Sequence, residues 1–331
     1  MHSDSQAAYV ATRHYIDGLS RIEIADELGI SRFAVARILQ RARDRGIVRF
    51  EITSPGDLDL PVSMALQERY GLHHALAVIT PSDAPETIRQ ALGRASARLL
   101  TEITAASDTI GIASGRTLLD MAASIGSLAR ADIVQFGGVA SGIQDSGVEL
   151  VRRVARISHG TPYPILAPLM VQRPESAELL RQEPIIRETI AQFSRVTIAV
   201  VGIGSWNPPD SQVYQLAQRL GLLAPLQRLG VCAELGAIML DADGNEVDLY
   251  SDRSIAIDSA ALRKVPEVIA VAGGPRKIRA ISAALRSGLI SSLVCDVGTA
   301  RALLEQDDQA GRAGTSPTTS LSNSKEQHEV R

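Results

Sequence analysis

The sequence predicts an α/β fold in two parts: an N-terminal helix-turn-helix, and a larger doubly wound, mainly parallel α/β domain. The first 52 residues are patterned as helices, whereas from about residue 62 short apolar runs alternate with helical stretches. Continuous apolar strands separated by helices are typical of a parallel sheet covered on both faces. With 331 residues, the chain is also long enough for two domains.

We divide the chain into four segments. Residues 1–52 form the helical segment, which ends in a short alternating strand, "GIVRFEI". Residues 53–61 carry Pro, Gly and Asp at turn positions and form a hinge. Residues 62–305 form the large domain. Residues 306–331 are polar, small and free of aromatic side chains, so we expect them to be a disordered tail.

Composition narrows the functional classes. The net charge is only −3, so any nucleic-acid site must lie in a local cluster of charge. Cys232 and Cys295 form no CxxC motif and the histidines are scattered, which argues against a metal site and favours reduced thiols. The N-terminus has no apolar leader, and no uncharged run is long enough to span a bilayer. We therefore expect a cytoplasmic protein with no cofactor, no metal and no membrane partner.

The stretch from Arg21 to Gly46 has the spacing of a helix-turn-helix. Apolar residues recur where two crossed helices face each other: Ile24, Leu28, Ile30, Val35 and Ile38. Gly29 ends the first helix where a left-handed backbone is wanted, and Ser31 is a natural N-cap for the second.

A basic cluster follows on the second helix, with six arginines and one acid between Arg32 and Arg49. We expect Arg32, Phe33 and Arg37 to read base edges, because arginine pairs with guanine and phenylalanine packs on a thymine methyl. Residues farther along the helix are better placed to contact phosphates. The predicted DNA-binding set is Arg21, Ser31, Arg32, Phe33, Arg37, Gln40, Arg41 and Arg43. The alternative is a helical hairpin with a solvated basic face.

A possible anion site lies in "ASGRT", between a strand and a helix. The loop offers backbone N–H groups and the positive end of a helix dipole. Ser114, Gly115, Arg116 and Thr117 form this loop, which is neither a Walker A motif nor GxGxxG. The alternative is a tight turn with a surface arginine.

Two further predicted strands end in glycines: Gly137 and Gly138 in one, Gly202 and Gly204 in the other. Ligands of open α/β sheets gather at the carboxyl ends of strands, so these ends and the "ASGRT" loop predict one crevice. Lys277 falls in the first turn of a later helix, where the helix dipole favours an anion rather than a cation. An anionic ligand is one explanation for that lysine, and chance is the other.

The segment "DADGNEVDLY" has the alternating oxygen ligands of a calcium loop in Asp241, Asp243 and Asn245. An EF-hand, however, needs Gly at its sixth position and Glu at its twelfth, where this chain has Glu246 and Asp252. A hairpin turn at residues 243–244 is the better interpretation.

Over nearly its full length the chain resembles the SorC-type (SorC/DeoR) family of sugar-binding transcriptional regulators. The matching stretches, in order, are "GLSRIEIADELGISRFAVARILQRARDRGIV", "IGIASGRTL", "VQFGGV", "VGIGS", "DADG" and "AGGPRKIRAISAALRSGLISSLVCDVGTARALL". The resemblance implies a phosphate-holding loop at residues 114–117, an acidic sugar contact at Glu234 and a lysine contact at Lys277. With the strand-end glycines and Asp241, these residues make up the predicted effector-binding set. The chain departs from many members at Asp296-Val297 and around Val148.

The resemblance also implies what the two parts do. The small part would bind double-stranded operator DNA, the large part a phosphorylated sugar or polyol, and the chain would form a homodimer or homotetramer rather than act as an enzyme. One alternative is a sugar-phosphate isomerase or deaminase fused to a DNA-binding domain, with Glu234, Asp241 or Asp296 as general base. Another is a DNA-binding protein whose large domain only oligomerises.

Overall fold

The computed structural model describes residues 3–49, 56–140 and 147–313. The chain divides into two compact units, Met1–Gly56 and Asp57–Arg331. No helix within the described residues is long and apolar enough to cross a membrane.

The N-terminal unit is built from three helices: α1 (Ser3–Tyr15), α2 (Arg21–Leu28) and α3 (Arg32–Asp44). Ser20 and Glu23 form a capping box at the start of α2, and Gly29 ends that helix with a φ of 64°. The side chain of Ser31 accepts a hydrogen bond from the Ala34 N–H and so caps α3. The three helices enclose a small apolar core: Ala7, Val10, Ala11, Ile24, Ala25, Val35, Leu39 and Ala42.

The strand predicted after α3 is absent from the part of it that the structure describes. Residues 46–49 form a turn, in which the Val48 N–H donates to the Ala42 carbonyl at 3.1 Å. Ile47 and Val48 pack together against the helical core, so their alternation with polar neighbours does not produce a strand. Residues 50–52 lie outside the described residues.

The large unit alternates strands and helices. Its helices are α4 (Leu60–Tyr70), α5 (Pro85–Ile103), α6 (Arg116–Ser124), α7 (Gly147–Ser158), α8 (Pro174–Gln182), α9 (Pro184–Ala191), α10 (Gln212–Arg219), α11 (Leu223–Arg228), α12 (Ser259–Leu262), α13 (Ile278–Arg286) and α14 (Val297–Ala313). Its strands are β1 (His74–Val78), β2 (Thr109–Ile112), β3 (Asp132–Gln135), β4 (Pro162–Tyr163), β5 (Ile198–Gly202), β6 (Gly204–Trp206), β7 (Pro209–Asp210), β8 (Ala233–Leu235), β9 (Ile238–Leu240), β10 (Glu267–Val271) and β11 (Ser292–Asp296). Short 3-10 turns occur at Gln192–Arg195, Ser251–Arg253 and Pro275–Lys277.

The main sheet has the order β1-β11-β10-β5-β2-β3-β4, and each of its pairs is parallel. This confirms the predicted parallel α/β architecture. Strands β3 and β4 follow on one side of β2, whereas β5, β10 and β11 follow on its other side. The boundary between β2 and β5 is therefore a topological switch point, where open α/β sheets bind ligands.

A second, antiparallel sheet was not predicted. Its order is β7-β6-β8-β9, and it packs with α10 and α11 around a separate apolar cluster that includes Trp206, Val213 and Leu226. The strands are only two or three residues long, too short for an alternating pattern to reveal them in the sequence. This sheet brings Trp206, Asp210 and Glu234 to the switch point of the main sheet.

Both ends of the large unit differ from the predicted boundaries. Leu58 bridges to Val78 and Asp59 caps α4, so the later part of the predicted hinge belongs to the large unit. At the other end, α14 continues to Ala313, eight residues into the predicted tail. Buried Ala300 and Leu303 anchor this helix, and good helix formers such as Gln and Ala extend it. Residues 314–331 lie outside the described residues.

Candidate functional site

A cavity of about 640 Å³ opens at the carboxyl ends of β2, β5 and β10. Three segments line it: residues 114–117 after β2, residues 202–204 at the end of β5, and residues 273–277 after β10. The sheet topology thus brings together segments that lie far apart in the sequence, as parallel strands with a shared direction require.

The loop after β2 lines the cavity and carries polar groups without a hydrogen-bond partner in the part of the chain that the structure describes. The Ser114 Oγ is buried and has no hydrogen-bond partner among the described residues. The next residues, from Arg116, form the first turn of α6, whose leading N–H groups have no partner inside the helix. The Arg116 guanidinium pairs with the Asp210 carboxylate at 2.9 Å. This loop has the donors that an anion needs.

Glu234 is the most buried carboxylate of the cavity, with 4% of its surface exposed. It accepts hydrogen bonds from the Trp206 indole N–H and, at 2.7 Å, from the Ser211 hydroxyl. Burial raises the pKa of Glu234 to about 7, although the Ser211 hydrogen bond and the charge of Lys277 oppose this shift. Gly204 stands opposite Glu234 in the β6–β8 pair, and a Cβ there would lie 1.6 Å from the Glu234 Oε1. Gly204 is therefore the residue that makes room for this carboxylate.

Lys277 brings a cation to the same cavity. Its Nζ donates to the Ile203 carbonyl at 2.7 Å and lies 4.0 Å from the Asp210 carboxylate. Burial lowers the pKa of Lys277, and the negative charges of Asp210 and Glu234 oppose that shift. Arg116 and Lys277 are thus two cations on one carboxylate.

The predicted glycines at the end of β3 form a wall of the cavity rather than a set of donors. Gly137 and Gly138 line it. The Gly138 N–H already donates to the Ile255 carbonyl at 2.9 Å, and the Gly137 carbonyl accepts from the Gln135 side chain at 2.6 Å. Their role is close packing beside the site.

Two acidic residues singled out in the sequence, Asp241 and Asp296, do not line the cavity. Asp241 does not line it, in contrast to the prediction; its carboxylate accepts from the Asp243 and Asn245 N–H groups at 2.9 Å and closes the turn after β9. That turn is the predicted hairpin, since Leu240 bridges to Glu246. Asp296 accepts from the Gly274 N–H at 2.6 Å and from the Thr299 hydroxyl at 2.7 Å, so it holds the loop that precedes Lys277.

Four residues of the site were missed in the sequence: Trp206, Asp210, Ser211 and Arg276. Each contacts a residue far away along the chain; Arg116 and Asp210, for example, are 94 positions apart. The second sheet positions the first three, and Arg276 donates to the Pro209 carbonyl at 2.8 Å. Of these four residues, only Arg276 had a signal in the sequence, because it is a cation next to Lys277.

On the N-terminal unit, the eight residues predicted to bind DNA are all exposed. Phe33 is 66% exposed, and the Arg32 guanidinium lies 5.0 Å from the centre of its ring. Farther along α3, Arg43 donates to Gln40 at 2.6 Å, and Gln40 donates to Asp44 at 2.8 Å. The face opposite the apolar core is therefore a polar, arginine-rich surface. Among the described residues of the whole chain, no cluster of three or more His, Cys, Asp or Glu is arranged to hold a metal.

Comparison with known proteins places this architecture in a family. A family model described as "Putative sugar-binding domain" matches residues 57–305, which covers the large unit and its cavity. The transcriptional regulator LsrR of Klebsiella pneumoniae subsp. pneumoniae is 30% identical over 308 residues, covering 90% of this chain and 92% of that regulator. The chain belongs to the SorC/DeoR-type family of sugar-binding transcriptional regulators. LsrR of Escherichia coli (strain K12) is 27% identical over 312 residues, 92% of this chain and 96% of that regulator.

Solved structures of this regulator family share the fold. The full-length sorbitol operon regulator SorC from Klebsiella pneumoniae has a TM-score of 0.67 at 23% identity, covering 92% of this chain and 100% of that one. The sugar-binding domain of the transcriptional regulator DeoR from Pseudomonas syringae pv. tomato has a TM-score of 0.60 at 28% identity, covering 74% of this chain and 99% of that one.

Proposed function

We propose that this regulator binds operator DNA in a sequence-specific manner and that a phosphorylated sugar or polyol controls it, so that it governs a carbohydrate or polyol catabolic operon. The observation that carries this proposal is the cavity at the switch point, which is lined by two cations, Arg116 and Lys277, and by the buried carboxylate of Glu234. Cations and free N–H groups suit a phosphate, and a buried carboxylate suits the hydroxyls of a sugar.

In the proposed complex, the effector phosphate binds at residues 114–117. The N–H groups of the first turn of α6 and the Ser114 hydroxyl donate to its oxygens, and Arg116 and Lys277 balance its charge. Gly202 keeps the end of β5 open to the ligand, because no described atom beyond its chain neighbours lies within 4 Å of where its Cβ would be. Glu234 then accepts from a hydroxyl of the sugar, which gives selectivity because a buried acceptor discriminates against ligands that lack the donor.

The proposed DNA-binding surface is the exposed face of α3. Arg32, Phe33 and Arg37 lie on the first two turns, the part of a recognition helix that meets base edges. Gln40, Arg41 and Arg43 follow on the same helix toward the phosphates, and Arg21 and Ser31 add donors at the starts of α2 and α3. Although the Ser31 oxygen caps α3, its hydroxyl hydrogen is still available to a phosphate.

We further propose a homodimer or homotetramer, because a recognition helix reads paired half-sites only as part of a symmetric assembly. An effector regulates such an assembly through unequal affinity for its DNA-binding and non-binding arrangements, since equal affinity shifts no equilibrium.

The test is thermal unfolding of the full chain against sugar and polyol phosphates and their unphosphorylated parents. A ligand at about 100 times its dissociation constant adds about 2.7 kcal/mol to the free energy of unfolding. We expect a phosphorylated compound to raise the melting temperature and to change operator affinity in a gel-shift assay, while its parent does neither. If the protein binds operator DNA and responds to none of these ligands, the large unit is a scaffold rather than a sensor.

One observation favours a second function. The pKa of about 7 at Glu234 suits a general base, as a sugar-phosphate isomerase or deaminase would need. Prolonged incubation of the protein with the stabilising sugar phosphate, followed by product analysis, separates the two functions. Recovery of the intact ligand supports a sensor, and a product that the Glu234→Gln variant fails to make supports an enzyme.

A further inference from the structure

The segment at residues 209–211, which we call the strap, lines the cavity and contacts the groups that we assign to effector binding. Asp210 contacts Arg116 at 2.9 Å and Lys277 at 4.0 Å. Ser211 donates to Glu234 at 2.7 Å. The carbonyl of Pro209 accepts from Arg276 at 2.8 Å. The strap therefore contacts both cations and the buried carboxylate of the site.

The contacts of Asp210 are of a kind that a ligand can replace. Its side chain is 30% exposed and that of Arg116 is 55% exposed, so water reaches their ion pair. Exposed ion pairs contribute little to stability, and charged donors bind phosphate oxygens at least as well as they bind a carboxylate. The Asp210 carboxylate thus lies where a phosphate would gain most, and its ion pair with Arg116 costs little to break.

The strap is also tied to the second sheet. Asp210 pairs with Ser205 and Pro209 pairs with Trp206 in the β6–β7 ladder, and Ser211 caps α10. Movement at residues 209–211 must therefore reach β6 and α10, which pack with Trp206 in the second apolar cluster.

We propose that the strap is an internal competitor of the effector, with the Asp210 carboxylate occupying the cations that the effector phosphate must take. This inference rests on the proposed function and adds its regulation. Binding of the phosphate displaces Asp210 from Arg116 and Lys277. The movement of the strap then changes the positions of β6 and α10. Asp210 acts through these two cations and is a positioning residue rather than a ligand contact.

The test compares inorganic phosphate binding to the full-length wild type and to Asp210→Asn by isothermal titration. Because the variant removes the competing charge and leaves both cations, its affinity for phosphate is expected to rise about two- to fivefold, the equivalent of one exposed ion pair. Asp59→Asn is the matched control: it changes the net charge equally, loses an ion pair with Arg301 at 3.0 Å, keeps a good N-cap and lies outside the cavity. Its phosphate affinity should not change.

A second measurement reports on the strap itself. Trp206 is the single tryptophan of the chain, pairs with Pro209 and donates to Glu234, so its fluorescence follows the strap. Phosphate should change this fluorescence in the wild type and change it less in Asp210→Asn. Asp210→Ser serves as a replacement if the asparagine variant does not fold.

The outcomes separate the inference from the function on which it rests. Equal or weaker phosphate binding by both folded Asp210 variants overturns the internal competitor and leaves the effector site standing. If neither the wild type nor the variants bind phosphate or any sugar phosphate, the proposed function fails, and the inference fails with it. A gain in Asp210→Asn that disappears when Arg116→Ala is added locates the competition on that arginine.

Discussion

The two surfaces proposed to bind anions hold their cations in opposite ways. On α3, Arg37 and its neighbours are exposed on one face of a helix. In the cavity, Arg116 and Lys277 share the carboxylate of Asp210 beside the buried Glu234. An exposed cation suits a long polyanion, because releasing condensed counterions drives that binding. A small anion releases no such atmosphere, so its site needs cations that countercharges hold in one place.

The largest expected effect concerns the Glu234 carboxyl and tests whether it is buried in the folded protein. The pKa of Glu234 is raised to about 7 by burial, above its ordinary value of 4.5. Its contribution to stability is therefore complete below about pH 4.5 and is lost as the pH rises through about 7. Relative to Glu234→Gln, the wild type should lose on the order of 3 kcal/mol over that window, measured by denaturant unfolding.

Glu267→Gln provides a control of opposite sign. Burial by itself would raise the pKa of Glu267, but hydrogen bonds from Ser292, His73 and Ser291 outweigh burial and lower this pKa. Its stabilising contribution is therefore present above the unfolded-state pKa and lost as the pH falls through the folded-state value. Identical pH profiles for the two variants would contradict the contrast between a desolvated and a hydrogen-bonded carboxylate.

The next largest effect is expected for Arg116→Ala, which should impair effector binding but not DNA binding. Loss of a charge-assisted contact to phosphate is expected to weaken effector binding about 10- to 100-fold, while operator affinity without effector stays unchanged. Titration calorimetry and a gel shift measure the two quantities. Arg301→Ala is the control, since Arg301 is also exposed and ion-paired but lies outside the cavity. Loss of DNA binding by folded Arg116→Ala would refute this division of roles.

Arg37→Ala probes the exposed surface. If Arg37 makes a bidentate contact with guanine, the variant should lose about 1–3 kcal/mol of preference at one base pair. Arg43→Ala, at a proposed phosphate contact, should instead weaken binding to all sequences alike and reduce its salt dependence. Competition binding against single-base operator variants distinguishes the two, and uniform weakening by Arg37→Ala would make Arg37 a phosphate contact.

The smallest effect compares two serines. The Ser31 oxygen caps α3, so Ser31→Ala should cost about 1 kcal/mol, seen as faster hydrogen exchange in α3. The Ser114 hydroxyl has no partner among the described residues, so Ser114→Ala should leave stability unchanged and weaken only effector binding. A destabilised Ser114→Ala would show that its hydroxyl has a structural role.

Sequence reasoning located the features that depend on near neighbours. Gly29 ends α2 and Ser31 begins α3 through contacts within four residues. The loop at residues 114–117 could be predicted because a strand is followed directly by a helix. Glu234 came from the family resemblance alone, whereas Lys277 was also visible as a lysine in the first turn of a predicted helix. Asp210 and Ser211 were missed because their partners are brought to them by the second sheet, whose strands are too short to leave a periodic signal.

Asp241 was singled out in the sequence but does not line the cavity. Its place in a recurring motif suggested an effector contact, yet its carboxylate is used within its own turn by Asp243 and Asn245. The motif alone did not show that the Asp241 carboxylate is used for hydrogen bonds within its own turn. The same limit applies at the C-terminus, where composition predicted a tail and the anchoring of Ala300 and Leu303 extends a helix instead.

The edge strand β1 pairs with β11, so that His74 lies beside Ser292, more than two hundred positions later. During synthesis, β1 has no neighbour in the sheet until that last strand leaves the ribosome. The N-terminal unit, in contrast, completes its core within the first 42 residues. Local contacts form faster than distant ones, and domains made first fold first. A nascent chain of this regulator therefore acquires its helical unit well before the sheet that would control it is complete.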